Sequence, residues 1–470
     1  MDASRLLLLL PALSCACAGA ERIPDTAPND CHDGGEDPDP TSPEVCNDGV
    51  DDHCDDAWSE CRIADPVAEW DFEVATDWAY PMGLAALSVD ADPELELVVT
   101  ASDQGTVVLD LDLEAGRLDR ALSLYSGSGA AHDVRAAGDL GGTPDADLLF
   151  TVADATGEGV TVLFPPLGEE SGRLAPGSGF RVGTEARIQI EQVLGDVDLD
   201  GDGIDDLLVG DNTVDAYAGG VYAARPEPDG VVVLADLVGL SPRPAEARFG
   251  SALCSAGDVD GDGTDDLVVG APGEGAVLLL VGGATWAEAE PAVLIAHDDD
   301  ASGDGFGSRL SAGDVDGDGL PDLAIQAATA AWLVPSPLDP RATIHVDDAG
   351  GWLDLSAVGN RVGLDADLDH DGVGDAVVVD RYTPECNLAL GGPDTTMAVA
   401  YGGAAFAADA WDAVGHGWCD VTAGFRLSGA WAAEDLDLDG YPELLVGFEA
   451  LGTSDASSPF GFRIRRGTGR

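Results

Sequence analysis

The fold of this chain is decided by one short stretch, Asp258-Val259-Asp260-Gly261-Asp262-Gly263-Thr264-Asp265-Asp266, followed at once by the apolar run Leu267-Val268-Val269. Counted from its first aspartate, the stretch carries carboxylates at positions 1, 3, 5 and 9 and a glycine at position 6. Calcium prefers roughly six to eight oxygen ligands, and alternate aspartates around a tight turn supply them. The glycine gives the turn its conformational freedom. The stretch therefore predicts a calcium-binding loop, with the backbone carbonyl of Thr264 as a further ligand.

A helix–loop–helix calcium site is the common alternative for such a pattern. It requires a glutamate at position 12 and a helix on each side of the loop. Position 12 here is Val269, which lies inside a β-type apolar run. The loop is therefore expected to connect two strands, and the run after it is expected to be a strand buried on both faces.

The same unit recurs along the chain. Five complete copies have acidic residues at positions 1, 3, 5 and 9: Asp198, Asp200, Asp202 and Asp206; Asp258, Asp260, Asp262 and Asp266; Asp314, Asp316, Asp318 and Asp322; Asp367, Asp369, Asp371 and Asp375; Asp435, Asp437, Asp439 and Glu443. Two weaker copies lie upstream, one with Asp90, Asp92 and Glu96, the other with Asp139 and Asp147. We predict that the complete copies hold about five calcium ions and that these ions are structural, because binding energy at a hairpin becomes folding energy.

Position 9 falls at residues 96, 147, 206, 266, 322, 375 and 443, so the copies are separated by 51, 59, 60, 56, 53 and 68 residues. A repeat of this length holds about four short strands, as in one propeller blade. With Phe249-Gly250, Gly270-Ala271-Pro272 and Phe306-Gly307 beside its loops, the chain resembles the FG-GAP repeats of the integrin α-subunit head. That resemblance implies an all-β, seven-bladed β-propeller with calcium-binding hairpin loops over about residues 67–470. It also implies a ligand surface on the face away from the aspartate loops.

Both ends of this region alternate in polarity as strands do, at Trp70–Val74 and at Phe460–Arg466. A ring of blades must hide its first and last edges, because an open strand edge recruits other chains. We therefore expect the N-terminal strand to complete the C-terminal blade.

The composition narrows the class of partner. The 470 residues carry a formal net charge of −68, with 89 acidic against 21 basic residues. Such a charge excludes a phosphate-binding surface for nucleic acid and docking to anionic lipid. It also implies strong self-repulsion, so the metal-free protein is expected to be markedly less stable.

Residues 1–16 are typical of a signal peptide, with Arg5 before the short apolar run Leu6–Leu13. The small residues around Cys15 and Cys17 resemble a bacterial lipoprotein signal, although neither cysteine has the usual leucine three residues before it. We expect an exported, cell-surface or outer-membrane lipoprotein; plain secretion is the alternative. No later stretch is long and apolar enough to predict a transmembrane helix.

Residues 17–66 form an acidic tether rich in proline and cysteine that lacks hydrophobic periodicity and is expected to be disordered. Residues 43–56 are similar to a short metal-binding module of bacterial surface proteins, and a disulfide-stapled knot with acids facing water is the alternative. The spacing of Cys46 and Cys54 disfavours zinc. Export favours two disulfides among four cysteines, with three connectivities open: Cys31, Cys46, Cys54 and Cys61.

The longest spacer lies between Asp375 and Glu443, and its exposed aromatics could carry a ligand surface or merely pack as a loop. A disulfide between Cys386 and Cys419 is expected there. Cys254 would then be a buried free thiol.

The sequence contains no recognisable active site. The seven histidines are scattered without metalloprotease spacing, and neither a nucleophile elbow nor a Walker loop is present. We therefore expect an exported propeller that binds a protein or polysaccharide and is not an enzyme. The alternatives are a structural envelope protein without a dedicated ligand and a sugar-acting propeller enzyme.

Overall fold

The structure is a computed structural model. It describes these residues: 68–74, 81–89, 95–101, 105–112, 117–123, 130–142, 146–154, 157–164, 180–183, 192–225, 231–233, 238–240, 243–259, 262–284, 286, 292–296, 305–328, 330–338, 343–345, 352–354, 360–368, 373–380, 397–400, 402, 416–418, 425–434, 436, 443–450 and 460–466. The signal peptide, the tether, and the six cysteines expected to pair lie outside this set.

Nearly all of the regular structure is β. The first fifteen strands are β1 Ala68–Val74, β2 Pro81–Leu87, β3 Glu96–Ala101, β4 Gly105–Asp112, β5 Arg117–Ser123, β6 Ala130–Ala137, β7 Asp147–Asp154, β8 Gly157–Leu163, β9 Phe180–Gly183, β10 Gln192–Leu194, β11 Leu207–Asp211, β12 Gly220–Ala224, β13 Val231–Val233, β14 Val238–Leu240 and β15 Ala252–Gly257. A four-residue helical segment, α1 Val214–Tyr217, lies between β11 and β12.

The remaining fifteen strands are similarly short. They are β16 Asp266–Ala271, β17 Ala276–Leu280, β18 Ala292–Ala296, β19 Arg309–Gly313, β20 Asp322–Gln326, β21 Ala330–Val334, β22 Ile344–His345, β23 Trp352–Asp354, β24 Asn360–Ala366, β25 Asp375–Asp380, β26 Met397–Ala400, β27 His416–Trp418, β28 Phe425–Glu434, β29 Glu443–Ala450 and β30 Phe460–Arg466.

Within the described residues these strands form seven sheets of four or five strands each. Most sheets are antiparallel meanders of consecutive strands, such as β2-β3-β4-β5 and β24-β25-β26-β27. The innermost strands of neighbouring sheets contact one another, as β15 does with β19 and β19 with β24. The last sheet returns to the first through β28 and β2. This all-β arrangement of successive small sheets is consistent with a β-propeller.

The predicted pairing of the two ends of the repeat region is confirmed. Strand β1 is antiparallel to β30, with Trp70 opposite Ile464 and Phe72 opposite Phe462. The sheet order is β1-β30-β29-β28, so the first strand of the described chain completes a sheet made by the last three. The outer edge of β30 is thereby covered by hydrogen bonds from the same chain.

The strand after each aspartate loop forms the core, as predicted. Every residue of β11, β16 and β20 is buried. Leu208 of β11 packs in one apolar cluster with Leu253 and Leu267 of the next sheet, while Val268 faces the sheet after that together with Leu323. Because each such strand has a sheet on either side, both of its faces must be apolar.

Two sheets contain a fifth strand that the repeat pattern does not predict. Strand β13 pairs in parallel with β9 of the preceding sheet, and β22 pairs in parallel with β18. Each comes from the chain between two strands of the following sheet, so it ties neighbouring sheets together through backbone hydrogen bonds. Only two or three residues take part in each case, which is too short a segment for a periodicity to be visible.

Glycines permit the close approach of neighbouring sheets. A Cβ added at Gly270 would lie 1.9 Å from the carbonyl oxygen of Gly307, and one at Gly210 would lie 2.2 Å from that of Gly250. Both carbonyls belong to the Phe-Gly pairs quoted above. The pairs therefore mark the points where one sheet's backbone touches the next, which explains why the facing positions Gly210 and Gly270 require glycine.

Two further findings bear on the sequence predictions. Among the described residues Cys254 forms no disulfide, and its side chain is half-buried where the sequence predicted a buried thiol; the thiol donates to the carbonyl of Ser255 at 3.4 Å. In the part of the chain that the structure describes, no helix has the length and apolar character needed to cross a bilayer.

Candidate metal-binding loops

The aspartate loops lie where one strand of a sheet ends and the buried strand begins. The loop at 198–206 precedes β11, and the loops at 258–266 and 314–322 join β15 to β16 and β19 to β20. A strand follows each loop directly, so the helix–loop–helix alternative is excluded for these three copies. The glycines at position 6 have positive φ: 85° at Gly203, 92° at Gly263 and 87° at Gly319. The turn therefore uses the conformation for which the glycine was predicted.

The aspartate at position 1 folds each loop around its own carboxylate. One oxygen of Asp198 accepts from the N–H of Gly201 at 2.8 Å and of Asp202 at 3.1 Å, and the other accepts from Gly203 at 2.7 Å. Asp314 makes the same three bonds in its loop, at 2.8, 3.1 and 2.8 Å. The loops are thus closed by their own side chains, with the position 1 carboxylate held at the centre.

The acid at position 9 has a different task. It opens or precedes the buried strand, and one of its oxygens accepts from the backbone N–H of position 2 in five copies. These bonds are 2.6 Å from Val89 to Glu96, 3.1 Å from Leu199 to Asp206, 2.8 Å from Val259 to Asp266, 3.1 Å from Val315 to Asp322 and 2.6 Å from Leu368 to Asp375. In three copies the second oxygen accepts from the strand that returns to the loop, from Gly282 at 2.8 Å, Ser336 at 2.7 Å and Gly402 at 2.8 Å.

Three of the four predicted ligand positions converge in two loops. Carboxylate oxygens of Asp198, Asp200 and Asp206 all lie within 4.8 Å of one another, as do those of Asp314, Asp316 and Asp322. The aspartates at position 5 stand apart from these groups: one oxygen of Asp202 accepts from the N–H of Ile204 at 3.1 Å, and Asp318 makes the equivalent bond to Leu320 at 2.8 Å. The oxygen-only donor sets fit a hard divalent cation.

The other predicted ligands are described only in part. In the loop at 258–266 the structure describes Asp258, Asp262 and Asp266 but not Asp260. The remaining predicted ligands outside the described residues are Asp369, Asp371, Asp435, Asp437 and Asp439; His370 also lies there. Asp367 and Asp375 flank the first gap, and Glu443 begins β29 after the second.

Burial and crowding raise the pKa values of several loop acids. Burial, with the nearby charge of Asp200 adding to it, raises the pKa of Asp206 to about 6. Burial also raises the pKa values of Asp205 and Asp322 above their ordinary range. Closely spaced carboxylates in a low-dielectric site cost free energy when all are ionised, and a bound cation removes that cost.

Neighbouring loops are joined by a bond that the sequence did not indicate. The N–H of Asp205, at position 8, donates to the carbonyl of Asp139 at 3.0 Å, while its carboxylate accepts from the N–H of Asp139 at 2.7 Å. Asp265 reaches back to Asp198 in the same way, at 3.4 and 3.3 Å. In the loop at 314–322, position 8 is Pro321, which has no N–H to donate. The aspartate at position 8 is therefore a link between loops.

The opposite ends of the buried strands carry a second group of residues that the sequence analysis missed. Three consecutive residues of α1 have positive φ, 50° at Asp215, 60° at Ala216 and 64° at Tyr217. This left-handed turn is held by backbone bonds to the next sheet's loop, from Glu246 to Ala216 at 3.2 Å and from Arg248 to the Tyr217 carbonyl at 2.8 Å. Left-handed conformations of non-glycine residues cost about 1–2 kcal/mol each, so the surrounding contacts must offset that strain.

The turn presents an aromatic ring and a cation to solvent. Tyr217 is 52% exposed, and the guanidinium carbon of Arg248 lies 5.9 Å from the centre of its ring. Beneath them Asp211 is fully buried, and its Oδ1 accepts from both the N–H and the hydroxyl of Thr213, at 2.8 and 2.7 Å. We call Tyr217, Arg248 and their left-handed backbone the tyrosine patch. Its residues have no periodic signal, because they come from two loops that meet only in the fold.

Comparisons with known proteins agree with the sequence motifs. The family model described as FG-GAP repeat matches residues 249–286 and 306–334, which include two of the loops described above. The chain is 36% identical to integrin alpha-PS5 of Drosophila melanogaster over 159 residues, 32% of this chain and 16% of that protein. It is 36% identical to integrin alpha-PS2 of the same organism over 171 residues, 32% of this chain and 12% of that protein.

Integrin alpha-IIb of Mus musculus is also 36% identical, over 149 residues that make up 28% of this chain and 14% of that protein. The chain thus matches less than a fifth of the length of these relatives. Among solved structures, one determined for BBS1N in complex with ARL6DN covers 86% of this chain and 96% of its own, with 11% identity and a TM-score of 0.44.

Proposed function

We propose that this chain, which carries FG-GAP repeats and is similar to integrin α-subunits over about a third of its length, is a calcium-stabilised, seven-bladed β-propeller that binds a protein ligand at the cell surface. The observation that carries the proposal is the convergence of three carboxylates in each of two equivalent loops, which precede the buried strands β11 and β20. Such oxygen-only groups serve hard cations, and their recurrence in equivalent loops points to a structural role.

The propeller part of the proposal is supported by the contacts between sheets. Seven sheets are present among the described residues, consecutive sheets touch through their first strands, and β28 of the last touches β2 of the first. An open row of sheets would leave β2 and β28 on opposite sides of the molecule. A closed ring places them together, and the pairing of β1 with β30 then joins the last blade to the start of the repeat region.

The calcium part rests on charge as well as geometry. Asp198, Asp200 and Asp206 would hold one ion, and Asp314, Asp316 and Asp322 another, with backbone carbonyl and water oxygens completing each shell. The equivalent acids of the other three complete copies would bring the number to about five. When bound, the ion supplies positive charge that offsets carboxylate repulsion in a chain of net charge −68.

The binding part rests on the tyrosine patch. The buried strand β11 runs from its metal loop to Asp211, so the patch lies at the opposite end of the sheet from the ions. An exposed aromatic ring beside a guanidinium is the chemistry enriched at protein interfaces. Backbone strain held at such a site is commonly functional. A protein ligand is therefore favoured over a polysaccharide, and a binding protein over an enzyme.

The first 66 residues support export and membrane attachment. A signal peptide ending near residue 16, an acidic tether and a lipid anchor on Cys15 or Cys17 would display the propeller outside the cell. A structural envelope protein without a dedicated ligand is the second candidate.

Metal analysis and calcium titration of the purified full chain test the metal proposal. We expect about five ions per chain, and a melting temperature that falls when EGTA replaces calcium. A melting temperature that EGTA leaves unchanged would contradict it.

Binding is tested separately, by panning the calcium-loaded protein against surface-protein and glycan arrays. The variants Tyr217→Ala and Arg248→Ala should lose protein hits while keeping their calcium stoichiometry. Hits that survive both substitutions would place the ligand elsewhere on the molecule, and an absence of hits would favour the structural candidate.

A further inference from the structure

The strand that follows each buried strand returns to the same metal loop, and the residue it delivers there differs from loop to loop. Strand β12 ends at Ala224 and delivers Arg225 to the loop at 198–206; strand β17 delivers Gly283 to the loop at 258–266. Strand β21 delivers Ser336 to the loop at 314–322, where its hydroxyl donates to Asp318 at 3.2 Å. Loops with the same aspartate spacing thus face different groups. The loop at 198–206 faces a guanidinium, the loop at 258–266 faces a glycine without a side chain, and the loop at 314–322 faces a hydroxyl.

The cation is in direct contact with two predicted ligands. Nη2 of Arg225 lies 3.0 Å from Oδ2 of Asp200 and 2.5 Å from Oδ2 of Asp202. Asp200 belongs to the group of three carboxylates that we assign to calcium, together with Asp198 and Asp206. The guanidinium therefore uses an acceptor that the metal ion would also use.

We propose that Arg225 is an internal competitor of the divalent ion at the loop 198–206, so that this loop binds calcium more weakly than the equivalent loop 314–322 and holds its shape better without it. The inference rests on the proposed calcium function of the loops. The two loops have the same aspartates at the ligand positions, so the Arg225 side chain accounts for the difference in their calcium affinity.

The physical reason is that a guanidinium cannot lose its charge at any pH where the protein is folded. For calcium to bind, Arg225 must either leave the two carboxylates, losing both ion pairs, or stay and repel the ion across Asp200. Arg225 is 48% exposed and the two aspartates about a third exposed, so each pair is screened by water. Two such surface pairs correspond to roughly a three- to tenfold effect on the calcium dissociation constant.

Calorimetric calcium titration of the full chain tests this, comparing Arg225→Gln with the wild type in low-salt buffer. Arg309→Gln is the matched control, because Arg309 is exposed at the end of β19 that lies away from the loop and its removal changes the net charge equally. A second pair, Asp200→Asn with and without Arg225→Gln, shows whether the effect arises at this loop.

We expect Arg225→Gln to tighten one calcium-binding step by about three- to tenfold, the control to leave every step within about twofold, and the gain to vanish in the Asp200→Asn background. In EGTA the same variant should unfold at lower urea, because Asp200 and Asp202 lose their counter-charge. Weaker calcium binding by Arg225→Gln would overturn the inference, since the arginine would then orient the ligands; so would an unchanged titration. A wild-type chain that binds no calcium would instead refute the proposed function itself.

Discussion

Replacing Asp266 by asparagine separates the structural task of position 9 from metal binding. The Asp266 side chain is fully buried, and its two oxygens accept from the N–H of Val259 at 2.8 Å and of Gly282 at 2.8 Å. The first bond closes the loop and the second joins the loop to the strand that returns beside it. Asparagine keeps one acceptor oxygen and turns an NH₂ group toward the other donor.

The magnitude follows from those two contacts. A hydrogen bond to a charged acceptor contributes about 1.5–3 kcal/mol, and a buried N–H left without an acceptor costs about 1–3 kcal/mol. The substitution removes one such bond and leaves one buried N–H without an acceptor. We therefore expect Asp266→Asn to lower the free energy of unfolding by about 2–4 kcal/mol even when no calcium is present.

Asp262→Asn is the matched control in the same loop. Asp262 is exposed, and one of its oxygens accepts from the N–H of Thr264 at 3.0 Å, which asparagine can still do. Urea unfolding in EGTA should place this variant within about 0.5 kcal/mol of the wild type. In calcium Asp266→Asn should lose further stability, because position 9 is assigned as a ligand, whereas position 5 stands apart from the converging carboxylates.

A wild-type urea midpoint for Asp266→Asn in EGTA would contradict this structural role of position 9. Equal losses of stability by the two variants in EGTA would also contradict it, since position 9 would then have no role apart from the metal.

Three further predictions concern the sheets, the pH and the links between loops. Gly270→Ala should lower the free energy of unfolding by about 3 kcal/mol or more, because its Cβ would lie 1.9 Å from a backbone carbonyl oxygen. Gly319→Ala has no atom within 4 Å of the added Cβ, so it should lower that free energy by only about 1–2 kcal/mol, for its positive φ. Thermal melting in EGTA compares the two variants. The pKa of Asp206 is raised to about 6, so the stability that it contributes is fully present below about pH 4 and lost as the pH rises through 6. Urea midpoints in EGTA should therefore rise from pH 7 to pH 5, and a slope that Asp206→Asn leaves unchanged would contradict this assignment. Asp265→Ala removes the carboxylate that accepts from the N–H of Asp198, so the calcium affinity of the loop at 198–206 should fall by about two- to fivefold in a titration. An unchanged titration would show that the loops act independently.

Much of the candidate site could be predicted from the sequence because its spacing is local. In the two loops that the structure describes in full, the carboxylates at positions 1, 3 and 9 converge, and the glycine at position 6 has a positive φ. These features depend on nine consecutive residues, and a chain that short has few ways to close around its own carboxylates. The buried strand after the loop was equally visible, since a strand covered on both faces must be apolar throughout.

Other features of the same loops depend on residues far away in the chain. Position 5 does not join the group of three carboxylates in the two loops that the structure describes in full, and one of its oxygens accepts from the amide two residues on. The second oxygen of Asp266 finds its donor in Gly282, sixteen residues later, and that of Asp375 in Gly402. No spacing rule links these pairs, since the intervening hairpin varies in length.

Sequence alone predicts the all-β repeat, its roughly sixty-residue period, the position of the aspartate loops and the pairing of the first strand with the last. Tertiary structure alone decided that Arg225 meets Asp200, that Tyr217 meets Arg248, and that β13 and β22 pair with the preceding sheets. The physical reason is the range of the forces concerned. Turn closure and strand burial depend on a residue's immediate neighbours and recur along the chain, whereas contacts between neighbouring sheets join residues that are far apart in the sequence.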